Sequence, residues 1–179
     1  PDTNPDTNPD TQTHTCSKIM ADPSSDAESL LSDREMSILQ IINEARADPK
    51  AFAARMEEEM RPCFKGKKGY LPATATKRDP YLPLHEGEAG LEGALKFLRS
   101  CESVPPLQVC RGLVLASRDH VGIQSTSGSK GHIGDDGSFL KDRIVRYGQL
   151  EKPSGEVLSY YHKSPMDILG FWVIDDGQG

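Results

Sequence analysis

The sequence is poor in the residues that build a large core. Only 36% of its 179 residues are hydrophobic and 6% are aromatic, so part of the chain is expected to lie outside the core. No run of about 18 apolar residues occurs, and we expect no transmembrane segment. The net charge of −6 is the opposite of the basic surface that nucleic-acid-binding proteins carry, so no nucleic-acid partner is expected.

Several chemical signatures are also missing. The four cysteines contain no CxxC pair, so a zinc knuckle is not expected. Cys101 and Cys110 can bridge in an oxidising compartment, or all thiols can stay reduced, because a domain of this size does not need disulfides. The chain has no HExxH motif, no nucleophile elbow and no Asn-X-Ser/Thr sequon. Its acidic charge and missing sequons slightly favour a cytosolic or cytoskeletal location over secretion.

Residues 1–31 are a low-complexity tail. Pro-Asp-Thr-Asn occurs twice from Pro1, and a third copy begins at Pro9. Such a segment has almost nothing to bury, so on its own it is expected to be disordered or extended. If the tail is ordered, we expect a protein partner in a larger assembly to hold it.

The folded domain is expected to cover residues 32–179. Ser32 and Glu35 have the spacing of a capping box, in which each side chain accepts a hydrogen bond from a free backbone N–H at the start of a helix. Asp48-Pro49 then predicts an N-cap and first residue of a second helix, which is expected to end near Met60.

The rest of the chain alternates loops and short elements. Composition predicts a long loop over residues 61–86. Periodicity, glycine and proline predict helices over residues 87–101, 111–125 and 138–147. A strand is predicted over residues 155–161, and a final helix follows from Ser164. Helices followed by a strand and a helix indicate an α+β domain with a small sheet.

One histidine and one glutamate stand out in the last third of the chain. His132 lies between Gly131 and Gly134, whose small size leaves the imidazole accessible for metal binding or proton transfer. Glu156 is expected to stand at the same polar cleft as a base, a ligand or a hydrogen-bond acceptor. In contrast, His120 is expected to support the core from within a helix.

Six segments, taken in order, resemble the CAP superfamily (cysteine-rich secretory, antigen 5 and pathogenesis-related-1 proteins) in its bacterial and protist form. They span roughly residues 33–179, and the tail lies outside them. The matching segments are Ile42-Asn43-Glu44-Ala45-Arg46-Ala47-Asp48-Pro49, Leu115-Ala116-Ser117-Arg118-Asp119-His120, Gly131-His132-Ile133-Gly134-Asp135-Asp136-Gly137-Ser138, Arg143 to Gly148, Gly155-Glu156 and Ile174-Asp175-Asp176-Gly177.

The resemblance implies a three-layer α-β-α sandwich with a small central sheet. The family cleft carries two histidines and two acidic residues and can bind a divalent metal such as zinc. The resemblance makes His132 the first cleft histidine and a metal ligand, Glu156 the first acid, and Asp175 a loose match to the second. The family's second histidine would follow Gly179, so we expect the domain to be incomplete at its C-terminus. Val157 replaces the family's usual asparagine, which puts that hydrogen bond in doubt.

Three functions follow from these observations. The first is a CAP-domain binding or interaction protein, whose ligand is a divalent metal, a lipid or sterol, or a protein. The second is a structural subunit of a large cytoskeletal or ciliary assembly, held by the N-terminal tail. The third is a metal-dependent hydrolase with Glu156 as base. A lone His132 and a lone Glu156 cannot complete a hydrolase site, so an enzyme ranks last.

Overall fold

The computed structural model describes residues 27–66, 69–76, 78–150, 153–162 and 164–175. The predictions for residues 1–26 and for Asp176 and Gly177 lie outside the described residues. Two short 3-10 turns and three two-residue strands accompany the α-helices. The α-helices are α1 (Asp33–Ala47), α2 (Pro49–Met60), α3 (Glu88–Ser100), α4 (Arg111–Ser127), α5 (Leu140–Val145) and α6 (Pro165–Ile174).

The first two helices begin where the sequence predicts. Ser32 caps α1: its hydroxyl accepts from the Glu35 N–H, and the Glu35 carboxylate accepts from the Ser32 N–H at 2.7 Å. The Asp48 side chain accepts from the Ala51 N–H at 2.9 Å, and Pro49 is the first residue of α2. These contacts satisfy backbone donors that no preceding helical turn can reach. The capping box and the proline start are both confirmed.

The small sheet lies inside the segment predicted as a loop. Its strands β1 (Phe64–Lys65), β2 (Gly69–Tyr70) and β3 (Leu82–Pro83) are antiparallel, in the order β1-β2-β3. Each strand is too short to show a period of two in the sequence, so composition alone indicates a loop. Tyr70 is nevertheless 1% exposed, and its ring packs edge-on against Phe64 and Phe171.

The strand predicted over residues 155–161 is wrong. This segment runs between α6 and the loop after α4 without joining a sheet. Its contacts pass through single groups instead: the Leu158 carbonyl accepts from the Trp172 Nε1–H, and the Tyr160 hydroxyl accepts from the Gly131 N–H. A strand needs a neighbouring strand for its backbone groups, and here the neighbours are a helix and a loop.

The core forms where α2 packs on α3 and where α1 packs on α6. It is built from apolar residues of these helices and of the sheet, including Phe52, Met56, Tyr70, Leu91, Leu95 and Leu169. Helices α2 and α6 approach closely at Gly170, where an added Cβ would meet the Met60 sulfur at 2.2 Å. A side chain at position 170 would force the buried Met60 to move, so glycine suits this close crossing.

The described residues form a mixed helical domain with a small antiparallel sheet, which agrees with the α+β class. None of the described helices is both long and apolar enough to cross a membrane. Cys63, Cys101 and Cys110 are free thiols, so the bridge considered between Cys101 and Cys110 is not formed. Residues 28–30, assigned to the tail from the sequence, form a 3-10 turn whose Leu30 carbonyl accepts from Arg118.

Candidate functional site

The loop of residues 128–139 joins α4 to α5 and is fixed at Gly131. His120 and Gln124, on consecutive turns of α4, reach the Gly131 carbonyl at 2.9 and 2.8 Å. The Gly131 N–H donates to the Tyr160 hydroxyl at 2.9 Å, and Tyr160 donates onward to Gln124. Gly131 has φ +98°, which favours glycine. His120 is 1% exposed, which confirms its predicted place in the core.

This anchored loop presents His132 to Glu156. The His132 Nδ1 lies 2.9 Å from the Glu156 Oε1, although the two residues are 24 positions apart. An ionised carboxylate only accepts hydrogen bonds, so the facing Nδ1 carries the proton. In the neutral ring the lone pair is then on Nε2, and 61% of the His132 side chain is exposed to solvent. The pair thus offers one oriented, accessible nitrogen.

A buried arginine holds the other side of Glu156. The Arg143 Nη2 donates to the Glu156 Oε2 at 2.8 Å, and its side chain is 0% exposed. Its Nη1 donates to the Ser138 carbonyl at 2.8 Å, and both terminal nitrogens lie 3.3–3.4 Å from the His132 carbonyl. The guanidinium therefore joins the carboxylate to both halves of the loop that carries His132. Charge-assisted bonds of this kind are among the strongest in proteins.

The charge of Glu156 follows from these neighbours. Burial raises the pKa of Glu156, but hydrogen bonds from His132 and Arg143, with the positive charge of Arg143, outweigh it. The net pKa is below its usual value of 4.5, so Glu156 is a carboxylate at neutral pH. Both of its oxygens already accept a hydrogen bond, one each from His132 and Arg143. Glu156 is therefore an acceptor that orients His132.

Helix α5 positions Arg143 so that its guanidinium reaches the Glu156 carboxylate. The helix starts where the Phe139 N–H donates to the Asp142 carboxylate at 2.9 Å. Arg146 then ties α5 to α4 through Asp119 at 3.1 Å, and to the loop through Asp136 at 3.0 Å. Hydrogen bonds from Ser138, followed by Arg146, hold the pKa of Asp136 well below its usual range. These exposed contacts fix the direction of a helix of only six residues.

The structure does not bring Asp175 into this arrangement. Asp175 is exposed at the C-cap of α6, where its φ of +45° ends the helix. Among the described residues, no hydrogen bond or ion pair joins Asp175 to His132 or Glu156. Trp172, from the same helix, instead donates to the Leu158 carbonyl at 3.1 Å and so supports the segment after Glu156.

The residues that hold the pair were not predicted from the sequence. Arg143 lies in one of the six segments singled out above, but no role was predicted for it, for Gln124 or for Tyr160. The sequence places Arg143 beside Ile144 in a predicted short helix, and in the structure both residues are buried. A charged residue at a buried position needs a partner of opposite charge, and the nearby glutamate supplies one.

Two exposed apolar residues are the chain neighbours of the pair. Ile133 follows His132 and is 53% exposed, while Val157 follows Glu156 and is 62% exposed. Among the described residues, no group of three His, Cys, Asp or Glu side chains is arranged to hold a metal ion. A zinc centre needs three or four such ligands, and among the residues placed here by the structure His132 alone offers a ligating nitrogen.

Comparison of the chain with models of protein families, with curated proteins and with solved structures finds no match in any of the three.

Proposed function

We propose that this chain is a CAP-type binding protein, with the family's α-β-α frame, whose ligand contacts the exposed imidazole of His132. The proposal rests on the 2.9 Å contact between His132 Nδ1 and Glu156 Oε1, in which 61% of the histidine side chain remains exposed. The resemblance to CAP proteins assigns the same two residues to one cleft.

The surroundings of His132 favour an amphipathic ligand such as a sterol or a fatty acid. The oriented Nε2 accepts a hydrogen bond from a hydroxyl or a protonated carboxyl group. Ile133 and Val157, the chain neighbours of His132 and Glu156, are exposed apolar residues and are our candidates for contact with the apolar part of the same molecule. Burial of apolar surface contributes roughly 25 cal/mol per Å², so both parts would add to affinity.

Zinc is a weaker candidate ligand. The His132–Glu156 pair has the form of a metal-binding histidine whose second nitrogen donates to a carboxylate. However, the described residues add no further ligand at this position, and they do not fit a resident zinc ion by themselves. Zinc binding through His132 therefore stays a prediction.

Binding is favoured over hydrolysis because of Glu156. A general base must have an oxygen that reaches a water or a substrate proton. Both oxygens of Glu156 are already paired, one with His132 and one with Arg143. The structural-subunit alternative depends on the tail of residues 1–31, of which 1–26 lie outside the described residues, and it also stays a prediction.

The test is ligand binding by the wild type and two histidine variants. Fluorescent cholesterol and fatty-acid analogues, and zinc in separate calorimetric titrations, are the probes. His132→Ala is expected to weaken binding at least about tenfold if a direct contact worth about 1.4 kcal/mol is lost. His85→Ala, which changes an exposed histidine on a different segment, is the control and should bind as the wild type does.

Two results would contradict the proposal. Equal affinity of wild type and His132→Ala for every probe would remove His132 from the binding surface. Ester or peptide hydrolysis that is lost in Glu156→Gln, while the variant still folds, would move the assignment to an enzyme.

A further inference from the structure

An apolar groove lies between α1, α4 and the segment that joins α3 to α4. Its volume is about 330 Å³. Most of the residues that line it are aliphatic, namely Leu31, Leu39, Ile42, Val109, Leu113 and Val114. All six are half-buried or exposed, so the groove still presents apolar surface to solvent. Exposed apolar surface that is gathered in one concave place is typical of a binding site.

The wall of the groove before α4 is held firmly against α1. The Val104 N–H donates to the Arg46 carbonyl at 2.9 Å, and the Arg46 Nε–H donates to the Pro105 carbonyl at 2.8 Å. The Asn43 side chain pairs with both backbone groups of Leu107, at 2.7 and 3.1 Å. The groove is therefore preformed, and an occupant would not have to order this wall.

The same wall has unused backbone donors. Gln108 and Val109 both line the groove. Within the part of the chain that the structure describes, neither of their N–H groups donates a hydrogen bond. An extended peptide that lies along such a backbone edge accepts from donors of this kind with its own carbonyls. A lipid chain has no acceptors along its length, so these donors favour a peptide as the occupant.

The chain enters the domain beside this groove. Leu31, which lines the groove, lies two residues before α1. The carbonyl of its neighbour Leu30 accepts from the guanidinium of Arg118 on α4. Arg118 also pairs with Glu35, another lining residue, at 3.4 Å. These contacts fix the point at which the N-terminal tail meets the groove.

The tail carries one short apolar segment that can reach back. Ile19 and Met20 are the only Ile, Leu, Val, Met or aromatic residues among residues 1–29. Met20 lies eleven residues before Leu31, an interval that spans up to roughly 35 Å when extended. This is far more than a groove of about 330 Å³ measures across. A tether this short also raises the effective concentration of the segment at the groove, on the order of millimolar.

We infer that residues 18–21 of the same chain occupy this groove, with Ile19 and Met20 as the buried anchors. Their burial removes apolar surface of both the tail and the groove from water. The N–H groups of Gln108 and Val109 donate to carbonyls of the segment. The tail is then held at two points, the Leu30 carbonyl and the groove, and the Pro-Asp-Thr-Asn repeat leaves the domain from a fixed place.

The test is limited digestion of the full chain with trypsin, followed by mass spectrometry. Lys18 is the only Lys or Arg among residues 1–33, so cleavage after it reports the accessibility of this segment. Each rate is divided by the rate for a synthetic peptide of residues 12–26 with the same sequence, which removes the intrinsic preference of the protease. The wild type is expected to be cleaved at least about tenfold more slowly than its peptide, which corresponds to about 1.4 kcal/mol.

Two variants and two matched controls locate the contact. Met20→Ser in the tail and Leu113→Ser in the groove should each remove most of the protection. Val121→Ser removes another exposed aliphatic residue of α4 that does not line the groove, and Thr11→Ser changes a polar residue of the tail. Both controls should be protected as the wild type is. Circular dichroism checks that Leu113→Ser is folded, and Met20→Ser gives the answer if it is not.

Three results would overturn the inference. Cleavage of the wild type at the rate of the peptide would leave the groove to a lipid or a partner protein. Full protection of both Met20→Ser and Leu113→Ser would place the protecting contact elsewhere. Protection that rises with protein concentration would assign the groove to the tail of a second copy. Since His132 and Glu156 take no part, none of these results bears on the proposed function.

Discussion

Removing the charge of Glu156 is expected to destabilise the domain strongly. The Arg143 side chain is 0% exposed and its carboxylate partner is 13% exposed, so Glu156→Gln leaves a buried guanidinium without its counter-charge. Breaking a buried ion pair from one side costs about 3–5 kcal/mol. For a domain of this size, that corresponds to a fall in Tm of about 6–20 °C.

The assay is urea unfolding at pH 7, followed by the fluorescence of Trp172 and by circular dichroism. The reference is a double-mutant cycle with Arg143→Met, which removes the guanidinium and leaves the partly exposed carboxylate. The double variant Arg143→Met, Glu156→Gln should be less destabilised than the sum of the single variants, because neither buried charge is left alone.

The loss of stability in Glu156→Gln is expected to depend on pH. The pKa of Glu156 is lower in the folded chain than its usual value of 4.5. Its contribution is therefore fully present above pH 4.5 and is lost as the pH falls through the lower folded value. The gap in unfolding free energy between wild type and Glu156→Gln should shrink below about pH 4.5. Glu156→Gln within about 0.5 kcal/mol of the wild type at pH 7 would refute the reasoning, as would a gap that grows on acidification.

Three further predictions concern stability. Gly170→Ala should destabilise the domain by about 1–3 kcal/mol in urea unfolding, because the new Cβ overlaps the Met60 sulfur. Gly93→Ala, which has open space around its Cβ, should stabilise the domain by about 0.5–1 kcal/mol. Equal shifts in unfolding free energy for the two variants would contradict the close approach of α2 and α6. Burial lowers the pKa of His162 below its usual value of 6.5. On acidification the unfolded chain therefore binds a proton at His162 before the folded chain does, and the free energy of unfolding should fall as the pH drops below about 6.5. His162→Phe should lose part of this acid sensitivity. Ser32→Ala should cost about 0.5–2 kcal/mol of unfolding free energy, and an unchanged midpoint would mean that the capping box is not needed.

Local chemistry could be predicted from the sequence because it depends on neighbours a few residues apart. Ser32 and Glu35 close their capping box within one turn, and Asp48 with Pro49 starts α2 in the same way. Ser164 caps the final helix in the same way, with the Asp167 N–H donating to the serine hydroxyl at 3.0 Å. In each case donor and acceptor are separated by three residues, and no distant contact is needed.

Strands were the weakest prediction because a strand exists only with its partner. The alternation over residues 155–161 predicts a strand, yet those residues meet a helix and a loop. The real strands have two residues each, and β3 comes twelve residues after β2 ends. Nothing within Gly69–Tyr70 indicates its pairing with Leu82–Pro83, since that pairing depends on how the intervening loop folds back.

The sequence by itself determined the helical framework and marked His132 and Glu156 as exceptional polar residues beside glycines. Only the tertiary structure decided that His132 Nδ1 faces Glu156, that Arg143 occupies the other carboxylate oxygen, and that Asp175 stands apart. The physical reason is distance along the chain. Helix caps are satisfied within one turn, whereas the ion pair between Arg143 and Glu156 depends on how the tertiary structure places α5 beside the segment that carries Glu156.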